Sequence, residues 1–196
     1  MKLVKDTDQL EKKSHQISDE KAKEAVKTII QWIGENPERE GLKSTPKRVI
    51  KAYKEYFKGY EEDPTTHLTK TFTEVEGYDD MVIEKNISIR SHCEHHMAPI
   101  IGVAHVAYIP SKKVVGLSKL ARVVDAFSKR LQTQERLTMQ IANTIMDVLQ
   151  PRGVAVTIDA THHCMTDRGV KKENATTITN YFLGAFKDDL SFQNRY

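Results

Sequence analysis

Apolar residues recur at helical spacing in two segments near the N-terminus. After Ser18, a side chain that commonly caps helices, apolar residues return every three or four positions until Pro37 ends the pattern. Thr45-Pro46 has the form of an N-cap followed by a first-turn proline, and a second apolar stripe follows it. The pattern predicts an amphipathic helical pair, an N-terminal extension over residues 1–60.

Downstream of residue 80 the apolar period changes to two. Met81, Ile83, Ile87 and Ile89 alternate with polar residues, as in a strand with one buried face. Two helical patterns follow a second strand, and two further strand patterns follow the helices. The predicted later segments are a strand over 102–110, a helix capped by Ser118 with Leu120, Val123, Val124, Phe127 and Leu131 on one face, a helix with Leu137, Ile141, Ile145, Val148 and Leu149 that stops before Pro151, and strands over 154–160 and 176–186.

This order predicts an α+β domain over residues 61–196, built as a ββααββ unit. The simplest packing places both helices on one face of an antiparallel sheet. The first fifteen residues are charged and lack periodicity, so we expect them to form a loose terminus. A chain of 196 residues is long enough for one such domain with its helical extension.

Composition disfavours two classes of partner. The 30 Lys and Arg residues are interspersed with 27 Asp and Glu residues, and the formal net charge is +3, so we expect no nucleic-acid partner. No apolar run approaches the roughly 20 residues of a membrane span, and no apolar targeting segment follows Met1. We therefore expect a cytoplasmic protein without a membrane anchor, in which a local basic cluster meets any anionic ligand.

Both cysteines and five of the eight histidines lie in two short segments, 91–96 and 162–165. Cys93 and His96 have the C-x-x-H spacing that lets one turn of backbone present a thiolate and an imidazole to one ion, and Cys164 can supply a third ligand. Three protein ligands leave a coordination position open for water, whereas four close a structural site. The pattern predicts a catalytic zinc (Zn²⁺) site.

Neighbouring histidines are candidates for acid and base roles. In an extended chain residues i and i+2 face the same side, so His162 is predicted to lie beside Cys164 without binding the metal. His95 is predicted to project toward a substrate. Two alternatives are a Cys93–Cys164 disulfide, which a reducing compartment disfavours, and buried cysteines with unrelated surface histidines.

Six motifs stand in order along the chain: Thr45-Pro-Lys-Arg-Val49, Cys93-Glu-His-His96, His105-Val-Ala-Tyr-Ile-Pro110, Gly116-Leu-Ser-Lys119, Gln132-Thr-Gln-Glu-Arg-Leu-Thr138 and Cys164-Met-Thr-Asp-Arg-Gly-Val170. Together they make the chain resemble the GTP cyclohydrolase I family. One isolated C-x-x-H would be weak support, whereas these motifs extend over most of the chain. The resemblance implies the tunnelling fold and a homodecamer of two stacked pentamers, with active sites at subunit contacts. It also implies conversion of GTP to 7,8-dihydroneopterin triphosphate with release of formate, the first step of folate or tetrahydrobiopterin biosynthesis.

The same resemblance implies roles for individual residues. Glu135 matches the glutamate that binds guanine, whose N1–H and N2 amine are adjacent donors that one carboxylate accepts, and Gln134 is expected to add contacts. The alternative for Glu135 is a first-turn acid that favours the helix dipole. His162 is implied to protonate N7 of the purine, and His95 to assist at the ribose ring oxygen. The residues implied for the triphosphate are Ser118, Lys119, Arg122 and Arg168, joined by Arg48 and Lys51.

Two other functions stay open. A pterin synthase or deazapurine reductase of the same fold also holds a purine-like ring with a glutamate, but ligation by two cysteines and one histidine favours the cyclohydrolase. A protein that senses GTP without turnover would instead carry a structural zinc closed by a fourth ligand, His92 or His163. Formate release from GTP distinguishes the enzyme from the sensor.

Overall fold

The computed structural model describes residues 17–73 and 77–196, so the predicted loose terminus lies outside the described residues. The chain divides into two compact units, Met1–Lys54 and Glu55–Tyr196. No helix in the described ranges is long and apolar enough to cross a membrane.

The first unit contains the two predicted helices. Helix α1 (Asp19–Trp32) begins after Ser18, whose Oγ accepts a hydrogen bond from the Lys21 N–H at 3.3 Å, as the sequence predicted. Helix α2 (Thr45–Tyr56) begins at Thr45 itself, one residue before the predicted start, and its last two residues belong to the second unit.

The second unit is built on a five-stranded sheet with the order β5-β2-β3-β6-β7. Its neighbouring strands are antiparallel except β5, which runs parallel to the end of β2. A separate two-stranded sheet pairs β1 with β4. The class is therefore α+β, as predicted, with a short parallel strand that the sequence did not predict. The elements are β1 (Thr71–Phe72), β2 (Val82–Cys93), β3 (Pro99–Ile109), β4 (Val114–Val115), α3 (Leu117–Ser128), β5 (Leu131–Gln132), α4 (Gln134–Leu149), β6 (Gly153–His162), α5 (His163–Thr166), β7 (Thr177–Gly184), α6 (Ala185–Asp188) and α7 (Leu190–Arg195), with 3₁₀ turns at Lys58–Tyr60 and Pro64–Leu68.

Helices α3 and α4 pack on the main core of this unit, α3 against β2 and α4 against β6 and β7. Alternate residues of β6 face the helices because strand side chains point to opposite faces in turn. Burying these side chains supplies the main driving force for this layer. The fully buried members include Ala104, Val106, Leu120, Val123, Leu137, Ile141, Ile145, Val154, Val156 and Ile158.

A β-bulge in β2 changes which residues face the helices. The register with β3 shifts between Glu84 and Ile87, and Asn86 adopts a left-handed φ of +59°. Residues after the bulge, such as Ile87, join the main core, whereas Met81 and Ile83 pack in a second cluster with the C-terminal helices. The predicted unbroken alternation is wrong here, because an inserted residue exchanges the two faces.

Two predicted details of α3 are also wrong. The N-cap is Gly116 and the helix begins at Leu117, so Ser118 lies in the first turn and does not cap the helix. Leu131 lies beyond the helix, in β5. Glycine is itself an accepted N-cap residue, so the serine hydroxyl did not identify the boundary.

Candidate metal centre and substrate site

A tight turn after β2 brings the first two candidate ligands together. The Cys93 N–H donates to Ala98 O and the Met97 N–H donates to Cys93 O, both at 2.8 Å. Met97 takes the left-handed conformation, with φ +53°, that closes this turn. As a result Cys93 Sγ lies 3.9 Å from His96 Nδ1.

The third candidate ligand comes from a different part of the chain. Cys164 lies in α5, directly after β6, and the ligand atoms of Cys93, His96 and Cys164 lie within 4.8 Å of one another. Tetrahedral zinc, with Zn–S near 2.3 Å and Zn–N near 2.0 Å, separates such atoms by about 3.5–3.8 Å. Both cysteines are free thiols. The donor set and its spacing therefore fit zinc.

The extended backbone predicted through Cys164 is wrong. Strand β6 ends at His162, which has φ −102° and ψ 111°, and helix α5 starts at the next residue. The rule that places residues i and i+2 on one face stops applying there. Cys164 approaches Cys93 from a short helix.

Charge and burial act on the Cys164 thiol. Burial raises its pKa, and the neighbouring Cys93 raises it further, while Arg168 lowers it. A cation between the two sulfurs would reverse these effects, because metal binding requires thiolates. Arg168 also donates a hydrogen bond from its guanidinium Nη1 to His96 Nε2 at 2.9 Å.

His95 lies in the turn that follows β2, and 66% of its side chain is exposed. Its Nδ1 is 3.7 Å from Cys93 Sγ and its Nε2 is 3.9 Å from Glu94 Oε1. It contacts the site without belonging to the group of three ligands. The exposed ring is therefore accessible from solvent.

Two other histidines were alternative fourth ligands. His163 Nδ1 lies 3.1 Å from Asp167 Oδ2. His92 stacks on the Tyr56 ring at 5.0 Å, and burial lowers the pKa of His92. Neither residue joins the metal group, which among residues 17–73 and 77–196 consists of Cys93, His96 and Cys164.

The acid candidate His162 contacts the start of α4. Its Nε2 lies 2.7 Å from Gln134 Oε1. Burial lowers the pKa of His162 and the charge of Glu135 raises it, so the Glu135 carboxylate acts on this ring. Gln134 is 1% exposed, whereas the adjacent Glu135 is exposed, so only the Glu135 side chain is accessible from solvent.

Arg136 connects α4 to the turn that follows β2, a contact that the sequence did not predict. Its Nη2 donates to Glu94 Oε2 at 2.8 Å and to Leu131 O at 2.9 Å, and its Nε donates to Gln132 Oε1 at 3.1 Å. A cation in the first turn of a helix opposes the helix dipole. The unfavourable position of Arg136 in the first turn was therefore the one feature of the sequence that indicated an acidic partner for it.

The candidate phosphate residues are distributed over several elements. Arg168 contacts the metal group through His96. Ser118 and Arg122 are exposed on α3, where Lys119 is half-buried. Arg48 and Lys51 are exposed on α2, in the first unit. Arg122 lines a recess of about 270 Å³ that includes none of the metal-group residues; its other lining residues are Lys58, Glu62, His67, Asp125 and Lys129.

Comparison with known proteins identifies close relatives. A sequence model of the family described as GTP cyclohydrolase I matches residues 22–196. The chain is 70% identical to GTP cyclohydrolase 1 of Pelagibacter ubique (strain HTCC1062) over 196 residues, which cover 100% of this chain and 97% of that protein. It is 59% identical to GTP cyclohydrolase 1 of Maricaulis maris (strain MCS10), covering 91% and 87%. Among solved structures, the archaeosine synthase QueF-Like in the apo form has a TM-score of 0.44 at 18% identity, covering 53% of this chain and 93% of that chain.

Proposed function

The chain belongs to the GTP cyclohydrolase I family and is a GTP cyclohydrolase, and from that premise we propose that Cys93, His96 and Cys164 hold its catalytic zinc. The convergence of three ligand atoms within 4.8 Å, from two distant segments, is the observation that carries the proposal. When bound there, zinc supplies a Lewis acid that activates water. Three protein ligands leave it a position for that water.

The side chains around the metal group bind the substrate and transfer protons. Glu135 is exposed at the start of α4, where its carboxylate accepts N1–H and the N2 amine of guanine. His162 gives a proton to N7 of the purine, because imidazole is the side chain that most often serves as a general acid or base. His95, whose side chain is exposed, acts at the ribose ring oxygen. The products are 7,8-dihydroneopterin triphosphate and formate, and the enzyme starts a pterin pathway.

The triphosphate binds to basic residues from more than one subunit. Arg168 reaches it beside the metal, and Ser118, Lys119 and Arg122 reach it from α3. Arg48 and Lys51 add charge from α2. We propose that a neighbouring copy completes this site.

Strand pairing between copies provides the assembly. Strand β7 ends the sheet order, so one of its edges has no strand partner within the described chain. An unpaired edge favours pairing with another strand. We assign the domain to the tunnelling fold, with sheets joined into rings and two stacked pentamers forming a homodecamer. The compartment is the cytoplasm, where Cys93 and Cys164 stay reduced.

Product analysis tests the proposed function. Zinc-loaded protein is incubated with GTP, formate is measured by an enzyme-coupled assay, and the pterin is oxidised to its fluorescent form and identified by mass. We expect one formate per pterin. Glu135→Ala should lose GTP affinity while keeping zinc. GTP binding without formate release, from protein with full zinc content, would favour a sensor over this enzyme.

A further inference from the structure

The buried carboxamide of Gln134 connects α4 to two strands and to His162. Its Nε2 lies 2.8 Å from Thr177 O, 3.0 Å from Ile158 O and 3.2 Å from Thr179 Oγ1. Its Oε1 lies 2.7 Å from His162 Nε2. Each polar atom of this carboxamide therefore has a partner inside the protein.

These partners determine which way the amide faces. Two of them are backbone carbonyl oxygens, which accept hydrogen bonds and cannot donate them. Rotating the amide by half a turn would place Oε1 against both carbonyl oxygens and leave buried acceptors without donors, which would destabilise the folded protein. Nε2 is therefore the donor toward Thr177 and Ile158.

The hydroxyl groups nearby agree with this orientation. Thr138 Oγ1 donates to Gln134 O at 2.7 Å, so its proton is committed to that carbonyl. The 2.7 Å contact between Thr138 Oγ1 and Thr179 Oγ1 then uses the Thr179 proton. Thr179 Oγ1 is left as an acceptor for Gln134 Nε2. The two Nε2 protons are thus shared among three acceptors, and in this arrangement no donor faces another donor.

We infer that Gln134 is a positioning residue that holds His162 as its Nε2–H tautomer, which makes Nδ1 the nitrogen that exchanges a proton with substrate. Oε1 of a fixed amide accepts, so the facing ring nitrogen must donate. In the acid step the imidazolium has a proton on both nitrogens. The Nδ1 proton passes to the purine nitrogen, and the ring returns to the neutral Nε2–H form.

The role of Nδ1 in catalysis rests on the proposed function, whereas the tautomer is a property of the protein without GTP. The inference also separates neighbouring residues of α4. Glu135 is exposed, whereas Gln134 is buried and its side chain acts through His162. Losing Gln134 should therefore lower kcat more than it raises KM.

Solid-state ¹⁵N NMR of zinc-loaded protein labelled at histidine tests the tautomer directly. Subtracting the spectrum of His162→Asn identifies the His162 nitrogens. We expect a proton on Nε2 of neutral His162, shown by its coupling to the ring carbons. A proton on Nδ1 instead would overturn the inference, whether or not the protein releases formate from GTP.

Kinetics of Gln134→Met test the positioning role. The variant keeps side-chain length and removes the acceptor, so kcat should fall by about 10²-fold, the scale of a misplaced catalytic group, with KM for GTP within about threefold. Thr179→Val is the matched control: it removes one Nε2 partner, leaves the His162 contact and should keep kcat within about threefold. Unchanged kcat in a folded Gln134→Met protein would contradict the role. If that variant does not fold, the wild-type spectrum still decides the tautomer.

Discussion

Replacing Cys164 by serine should release most of the zinc while leaving the fold intact. Zinc binding to four-ligand protein sites has an apparent free energy of about 10–16 kcal/mol, or about 2.5–4 kcal/mol per ligand. Exchanging one thiolate for a poorly coordinating hydroxyl should therefore raise the zinc Kd by on the order of 10²–10³-fold. Cys164 is half-buried on a four-residue helix, so the fold loses little packing.

The assay is a zinc titration against a chromogenic chelator, with circular dichroism and formate release measured on the same samples. His163→Asn is the matched control, because His163 is adjacent in sequence but pairs with Asp167. It should keep zinc affinity. Wild-type zinc affinity in Cys164→Ser would refute the ligand assignment, and global unfolding of this variant would indicate a structural metal.

Three further changes test other parts of the account. His162→Asn should keep one zinc and bind GTP, while pterin formation falls by on the order of 10²-fold or more. Loss of zinc in this variant would instead identify His162 as a metal ligand. Co-refolding Glu135→Ala with Cys93→Ser should recover activity if subunits share sites, and no recovery in hetero-oligomers verified by mass would assign each site to one chain. Burial raises the pKa of Glu84, so the folded protein favours the neutral carboxyl group. The protein therefore loses stability as the pH rises from the unfolded-state pKa through the folded-state pKa of Glu84. Glu84→Gln should raise the melting temperature near pH 7 and not below pH 4, and an equal shift at both would contradict this origin.

Spacing and period predicted the features that depend on nearby residues. Cys93 and His96 are three apart, so one backbone turn brings them together, and the apolar stripe of α4 identified its core face. The bulge at Asn86 was missed because the apolar residues keep their alternation across it: those before and after the bulge pack in different apolar clusters. The change from strand to helix after His162 was missed because α5 has only four residues, too few to show a helical period.

Long-range polar partners were the least predictable part of the site. The burial of Gln134 depends on carbonyls of β6 and β7, which no local pattern of α4 reveals. The pairing of Arg136 with Glu94 joins residues 42 apart in sequence. Such contacts exist only once the sheet and α4 are packed, so the sequence indicated the candidate metal ligands better than the residues that contact the candidate acid and base groups.

The most direct test of the central claim is the rate of formate release from GTP as zinc is added to metal-free protein. If Cys93, His96 and Cys164 hold a catalytic zinc, metal-free protein should release almost no formate. The rate should rise linearly with bound zinc and reach a plateau at one zinc per chain. A full rate in metal-free protein, or zinc-saturated protein that binds GTP and releases no formate, would contradict this claim.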